Sequence, residues 1–128
     1  MKVSYLDTSA AMKLLVEEPE SAALAAELQG TPRRLAASWL LHTELHRAAG
    51  RHPDDVRLAD VATVLGAVNL VDVSRGDLLA AGTQAPLRSN DAIHLAAALR
   101  LGVDEMLTYD VELAEAASAA GLTVLAPA

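Results

Sequence analysis

Four acidic residues in this chain of 128 residues stand where a solvated surface does not explain a carboxylate. They are Asp7, Glu44, Asp91 and Asp110. The first and the last follow short apolar stretches directly, Glu44 has apolar neighbours, and Asp91 lies in the first turn of a helical stretch. A buried or crowded carboxylate is unfavourable unless a proton or a cation neutralises it. Together the four acids predict a cation site.

Two of these acids also have a simpler interpretation as helix caps. Asp7 and Asp110 each precede a helical stretch, and aspartate is a good N-cap residue. Other cap residues are available beside both, however, since Thr8 and Ser9 follow Asp7, and Thr108 precedes Asp110. A cap is therefore available without either acid, and for each of them the capping and functional interpretations both stay open.

The other two acids have structural alternatives as well. Glu44 could pair with Arg47 one helical turn further on. Asp91 could favour the positive end of its helix dipole, although Ser89 or Asn90 already offers a cap there. Each alternative is about as good as a functional role for one residue, and the set of four is the stronger argument.

The absence of cysteine decides which cation to expect. Oxygen ligands alone favour Mg²⁺ or Mn²⁺ over zinc, and such ions assist phosphodiester displacement. His42 and His46 are four residues apart, as in half of a zinc site. Glu44, however, points to the opposite side of that helix, which argues against a zinc protease. His94 lies in an Ala-rich helix and is interpreted as a packed or surface residue.

Strand-like and helix-like stretches alternate along the chain, which predicts an α/β fold. Helices on both faces would cover a parallel sheet of four to five strands, in a single domain of residues 1–128. The predicted strands are residues 2–6, 35–38, 68–73, 105–110 and 122–127. The predicted helices are residues 8–18, 20–30, 39–51, 55–68, 74–85, 89–102 and 111–121. Sites in such sheets lie at the carboxyl ends of the strands, which would bring Asp7 and Asp110 to one edge.

Composition limits the possible classes of protein. Hydrophobic residues make up 52% and aromatic residues 2%, so the core must consist of Ala, Leu and Val. The net charge of −7 argues against nucleic acid as a partner, unless bound divalent ions offset it. No stretch is apolar for the roughly 18 residues of a membrane span, and no signal peptide is visible. We expect a soluble protein of the cytoplasm with no membrane association.

Four stretches resemble the PIN domain, and most of all the VapC toxins of bacterial VapBC toxin–antitoxin pairs. They are YLDTSAAMKLLVEEPES, SWLLHTELHRA, LRSNDAIHLAAALRLG and LTYDVELAEAASAAGLTVL. The resemblance runs from about residue 3 to residue 126. It implies a ribonuclease that uses Mg²⁺, with Mn²⁺ as a substitute, and whose acidic quartet is Asp7, Glu44, Asp91 and Asp110.

The resemblance also implies supporting residues and partners. Ser9 is the expected hydroxyl participant ahead of Thr8, and Glu112 is the nearest candidate for a fifth ligand. The family implies a homodimer that a VapB-type antitoxin inhibits in a hetero-oligomer, the antitoxin's C-terminal segment entering the acidic site. RNA phosphate could contact Lys13, Arg88 or Arg100, of which Arg100 is better interpreted as surface charge.

Two other classes of protein remain as alternatives. A catalytically silent PIN-fold binding module would keep the fold and act through its protein partner. A haloacid-dehalogenase-type phosphotransferase also has an acid after its first strand, but it needs a D-x-D pattern, and position 9 is Ser.

Overall fold

The computed structural model describes residues 1–128, in which five strands and seven helices alternate. The strands are β1 (Lys2–Leu6), β2 (Arg33–Ser38), β3 (Val68–Val71), β4 (Glu105–Leu107) and β5 (Thr123–Leu125). The helices are α1 (Thr8–Leu15), α2 (Ser21–Gly30), α3 (Leu40–Arg51), α4 (Leu58–Gly66), α5 (Arg75–Ala81), α6 (Ser89–Leu101) and α7 (Val111–Ala119). All neighbouring strands are parallel, in the order β3-β2-β1-β4-β5. The predicted α/β fold is confirmed.

The strand order reverses in the middle of the sheet. From β1 the chain moves outward to β2 and β3, and it then crosses back to β4 on the other side of β1 before reaching β5. Right-handed crossovers therefore place α1 to α4 on one face and α5 to α7 on the other, and the helices pack against each other within these two groups. The carboxyl ends of β1 and β4 flank the switch point, where sheets of this kind hold their sites.

Small side chains let the helices approach the sheet closely. The buried face of α6 is mostly alanine and leucine. In the central strands, the largest apolar side chains that are fully buried are Tyr5, Leu6, Met106 and Leu107. This is the Ala- and Leu-rich core that the composition predicts, with one tyrosine at its centre. No helix is both long and apolar enough to cross a membrane.

Two predicted boundaries are wrong for identifiable reasons. The predicted helix at 55–68 begins only at Leu58, because the His52 carbonyl accepts the amides of Asp55 and Val56 and closes a turn instead. Strand β2 begins at Arg33, two residues before the predicted start at residue 35, because the Arg33 side chain is paired with Glu27 and Glu105.

Predicted caps and ends also differ at several places. Neither Ser89 nor Asn90 caps α6: the N-cap residue is Arg88, and its side chain makes no capping bond. Strand β4 ends at Leu107, so residues 108–110 form a loop at the sheet edge. Gly102 does end α6, in the left-handed conformation at φ 65°.

Candidate active site

The four predicted acids come together at the switch point of the sheet. Asp7 follows β1, Asp110 follows the loop after β4, and Glu44 and Asp91 come from α3 and α6 on opposite faces. A cavity of about 460 Å³ opens here, and none of its lining residues is hydrophobic. The lining residues are Ser9, Glu44, Arg88, Ser89, Asn90, Asp91 and Asp110. Asp7 lies behind Ser9, with 2% of its surface exposed.

Asp7 is both a helix cap and a member of this acidic cluster. One oxygen, Oδ1, accepts the Ala10 amide at 2.9 Å, which caps α1 as the simpler interpretation expects. The Ser9 hydroxyl donates to the carboxylate at 2.8 Å, and Thr108 Oγ1 donates to Oδ2 at 2.6 Å. Burial nevertheless raises the pKa of Asp7, and the hydrogen bonds from Thr108, Ala10 and Ser9 only partly oppose it. Keeping Asp7 ionised in the folded protein therefore costs free energy.

Two hydroxyls join the loops that follow β1 and β4. Thr108 Oγ1 donates to Asp7 and accepts the Asp110 amide at 3.1 Å. Ser9 Oγ accepts the Tyr109 amide at 2.8 Å. These bonds fix the backbone of both loops, and so they hold Asp7 and Asp110 in one arrangement.

Glu44 is held through one of its two oxygens. Thr8 Oγ1 donates to Oε1 at 2.6 Å, and His94 Nε2 contacts the same oxygen at 2.7 Å. Only Asn90, at 3.4 Å, approaches Oε2. Burial raises the pKa of Glu44, but the hydrogen bonds from His94 and Thr8 outweigh it, and the pKa lies below its ordinary value. The alternative partner, Arg47, forms no ion pair with Glu44; the partner is His94.

Asp91 has no such support. Its carboxylate pKa is raised by burial first and then by the negative charges of Asp110 and Asp7, and no hydrogen bond to it opposes this. Asp110 caps α7 by accepting the Leu113 amide at 2.9 Å, so the cap interpretation holds for that residue too. A carboxylate without a donor among other carboxylates is the group that would gain most from a bound cation.

The donor set fits a hard divalent ion. Every side-chain donor facing the cavity except Arg88 and the Asn90 amide is an oxygen, and the chain has no cysteine. The cation expected from such ligands is Mg²⁺ or Mn²⁺. No group of three His, Asp or Glu side chains lies close enough to hold one ion together. The site therefore offers ligands for a metal without a preformed cage.

Of the three cations considered for phosphate, only Arg88 lines the cavity. Lys13 instead pairs with Glu18 at 3.1 Å and with Glu20 at 2.8 Å. Arg100 binds Asp77 at 2.8 Å, in agreement with its interpretation as ordinary surface charge.

The three residues expected to support the acids also differ in whether they line the cavity. Ser9 bonds to Asp7 and lines the cavity, whereas Thr8 bonds to Glu44. Glu112 lines a different cavity with Gln84, on the other side of the α7 start, and does not join the acids.

The sequence did not reveal the role of His94. It is buried, with 1% of its surface exposed, and its two ring nitrogens contact Glu44 and the hydroxyl of Tyr5 at 2.7 Å each. The sequence feature that could have indicated this role is the spacing of His94 three residues after Asp91, which places both residues on one face of α6. The predicted packed histidine is thus packed, and it is also bonded to the site.

Comparisons with known proteins agree on the family. The family model of the PIN domain matches residues 4–119. Ribonuclease VapC46 of Mycobacterium tuberculosis is 40% identical over an alignment of 131 residues that covers 99% of each chain. Ribonuclease VapC35 of the same species is 41% identical, covering 96% of each chain.

Solved structures share the fold at lower identity. VapC20 of Mycobacterium tuberculosis, a toxin that cleaves the sarcin–ricin loop, superposes with a TM-score of 0.72 at 17% identity, covering 97% of this chain and 99% of that one. VapBC2 of Rickettsia felis, bound to a DNA fragment from its promoter, gives 0.74 at 14% identity, covering 96% and 97%. The family model and the full-length relatives are decisive: the chain belongs to the PIN domain family, among the VapC proteins.

Proposed function

We propose that this chain is the toxin of a type II toxin–antitoxin pair, an endoribonuclease of the cytoplasm that depends on Mg²⁺ or Mn²⁺. Residues 1–128 would act as one domain. The observation that carries the proposal is the meeting of four carboxylates from both faces of the sheet, one of which, Asp91, has no hydrogen-bond donor. The names of the full-length relatives support the same activity.

The metal would bind among Asp7, Glu44, Asp91 and Asp110. When bound, Mg²⁺ or Mn²⁺ supplies positive charge against the phosphate and activates a water molecule for its attack on phosphorus. The protein's own contribution is orientation. Ser9 and Thr108 fix Asp7, while Thr8 and His94 leave Oε2 of Glu44 directed away from its donors.

Arg88 would bind the RNA phosphate. It is the only cation that lines the acidic cavity, and it is exposed at the start of α6. A guanidinium there can donate two hydrogen bonds to a non-bridging phosphate oxygen pair and offset the overall charge of −7 locally. The phosphate would thus lie between a positive residue and the metal-bearing acids.

The partner would be a VapB-type antitoxin that inhibits the toxin by placing its C-terminal segment in the acidic cavity. A basic side chain of that segment would meet the three carboxylates that line the cavity, Glu44, Asp91 and Asp110, which favours electrostatic capture. We propose a toxin homodimer and a hetero-oligomer with the antitoxin. Toxin–antitoxin complexes among the structures of the same fold support the pairing with an antitoxin.

The test is cleavage of total RNA by the purified chain without antitoxin. Reactions contain Mg²⁺, Mn²⁺ or EDTA, and Asp91→Asn is compared with wild type. The matched control is Glu112→Gln, which removes an acid of the same helix-start type outside the cavity. We expect metal-dependent cleavage by wild type and by Glu112→Gln, and a loss of at least 100-fold in Asp91→Asn.

The opposite result has a defined meaning. A folded wild-type chain that binds an antitoxin but neither binds Mn²⁺ nor cleaves RNA would be a silent PIN-fold binding module. Cleavage that persists in EDTA would exclude the metal-dependent mechanism. Cleavage lost equally in Asp91→Asn and Glu112→Gln would remove the assignment of the acidic cavity as the active site.

A further inference from the structure

We propose that His94 is a positioning residue, which fixes the Glu44 carboxylate in one orientation through a buried hydrogen-bond chain that starts at Tyr5. The inference rests on the proposed function, because it concerns how Glu44 is presented to a metal. His94 itself lies behind Glu44 and does not line the cavity. It would therefore act only through the carboxylate that it holds.

The chain begins at the backbone and has one consistent direction. The Ser38 amide donates to the Tyr5 hydroxyl oxygen at 3.1 Å, which leaves the hydroxyl hydrogen for His94 Nδ1, 2.7 Å away. The ionised carboxylate of Glu44 can only accept, so Nε2 must carry the hydrogen of the 2.7 Å contact between His94 and Glu44. The geometry therefore places a hydrogen on Nε2 of the ring, where it is donated to Glu44.

The ring has no freedom to turn away. His94 is 1% exposed and Tyr5 is fully buried, and their rings meet edge to face with centroids 5.6 Å apart. Rotation of the ring would break both 2.7 Å contacts and leave buried polar groups unpaired.

The consequence falls on the two oxygens of Glu44. Oε1 accepts hydrogen bonds from both Thr8 and His94, whereas Oε2 has only the 3.4 Å contact with Asn90. One oxygen is therefore saturated and the other is left for a ligand. Hydrogen bonds of this kind to a ligating carboxylate set its orientation and raise metal affinity.

The contact also links the two faces of the sheet. Glu44 belongs to α3 and His94 to α6, where it follows Asp91 by three residues. The bond between His94 and Glu44 thus sets the separation of two acids that come from opposite sides. Thr8 Oγ1 lies 3.3 Å from His94 Nε2, so a residue of α1 also contacts this pair.

The experiment measures Mn²⁺ affinity by calorimetry together with RNA cleavage. His94→Leu removes the donor to Glu44, Tyr5→Phe removes only the hydroxyl, and His94→Gln restores a donor near the Nε2 position. We expect Mn²⁺ affinity to fall about 10- to 100-fold in His94→Leu, to fall less in Tyr5→Phe, and to recover to within a few-fold in His94→Gln. His52→Leu, at an exposed histidine far from the cavity, is the control.

A double-mutant cycle separates positioning from general damage. In the Glu44→Ala background, His94→Leu should cause no further loss of Mn²⁺ affinity, because the carboxylate that it positions is gone. An equal loss in both backgrounds would overturn the proposal, as would wild-type affinity in His94→Leu. Should His94→Leu fail to fold, Tyr5→Phe decides, and unchanged Mn²⁺ affinity in that variant would overturn the proposal.

The two hypotheses fail differently. Wild type that neither binds Mn²⁺ nor cleaves RNA contradicts the proposed function itself. Wild type that binds and cleaves, with both activities lost in Asp91→Asn but kept in His94→Leu, contradicts only the role of His94.

Discussion

Replacing Asp7 by asparagine should abolish cleavage and at the same time stabilise the metal-free protein. The pKa of Asp7 is raised by its burial. Relative to water, the folded protein therefore favours the neutral carboxyl over the charged carboxylate. An asparagine is a neutral side chain of the same shape, and it caps a helix as well as aspartate does. The substitution thus removes a buried charge and keeps the cap.

The hydrogen bonds around position 7 can be rearranged without leaving a polar group unpaired. The new amide oxygen would keep the Ala10 amide and the Ser9 hydroxyl, which contact Oδ1 at 2.9 Å and 2.8 Å. The new amide nitrogen would donate to Thr108 Oγ1. That hydroxyl could then turn its hydrogen to Ser9 Oγ, which lies 3.3 Å away. The loss of hydrogen bonding is therefore small.

The sign of the expected change follows from the raised pKa of Asp7, and its size is that of an ordinary stabilising substitution. We expect the free energy of unfolding of Asp7→Asn in EDTA at pH 7 to exceed that of wild type by about 1–2 kcal/mol, with a Tm about 3–8 °C higher. Saturating Mn²⁺ should reverse the order, since metal at 100 times its Kd stabilises wild type by about 2.7 kcal/mol.

The difference should depend on pH with a definite sign. An acid whose folded pKa is raised costs stability fully above that pKa, and the cost disappears as the pH falls below the unfolded value. The advantage of Asp7→Asn is therefore largest at pH 7 and vanishes near about pH 4. Urea unfolding in EDTA at several pH values measures it.

Asp77→Asn is the matched control, because Asp77 is also buried but its pKa is lowered by the Arg100 guanidinium. This variant should lose about 2 kcal/mol at pH 7, with the loss disappearing as the pH falls through the lowered pKa. An Asp7→Asn protein that is less stable than wild type in EDTA at pH 7, or a gain that does not change with pH, would refute the reasoning.

Three further expectations concern stability and substrate contact. Gly102→Ala should lose about 1 kcal/mol in urea unfolding because φ is 65° there, while Gly50→Ala, inside α3 with open space for a Cβ, should gain about 0.5 kcal/mol. Equal effects at the two glycines would contradict this. Glu105→Gln should lose about 2 kcal/mol, because the Arg33 side chain, which is 2% exposed, would keep only Glu27 as a charged partner; a loss below about 0.5 kcal/mol would show that the pair is solvated. Arg88→Ala should raise KM for RNA and reduce the salt dependence of binding by about one counterion without changing unfolding. An unchanged salt dependence would place Arg88 away from the phosphate.

The sequence predicted the parts of this site that local patterns determine. Alternating strands and helices predict a parallel sheet, and a parallel sheet brings the residues after β1 and β4 to one edge. That reasoning needed no tertiary detail, and Asp7 and Asp110 are where it places them. The helical position of Glu44 among leucines likewise indicated a side chain turned toward the protein.

Other features depended on packing that sequence patterns do not carry. The turn that delays α4 to Leu58 depends on the buried position of Val56, and the early start of β2 depends on Arg33, whose charge is neutralised by Glu27 and by Glu105. Arginine pairs of this kind join residues far apart in the chain. The structural alternative for Glu44 fails for the same reason: helical spacing offered Arg47, and tertiary packing supplied His94 from another helix.

The opposite pKa shifts of the acids follow from how each is supported. Glu44 receives two short hydrogen bonds to one oxygen, and its pKa is lowered, whereas Asp91 receives none and its pKa is raised. The pKa of Asp7 is raised as well, because hydrogen bonds from three donors, Ser9, Ala10 and Thr108, do not offset its burial. A bound cation would therefore stabilise the acids to different extents. Glu44 is already charged and oriented, whereas ionising Asp91 and Asp7 costs free energy that the cation would offset. Such a site is least stable when empty, and its stability should report directly on whether metal is bound.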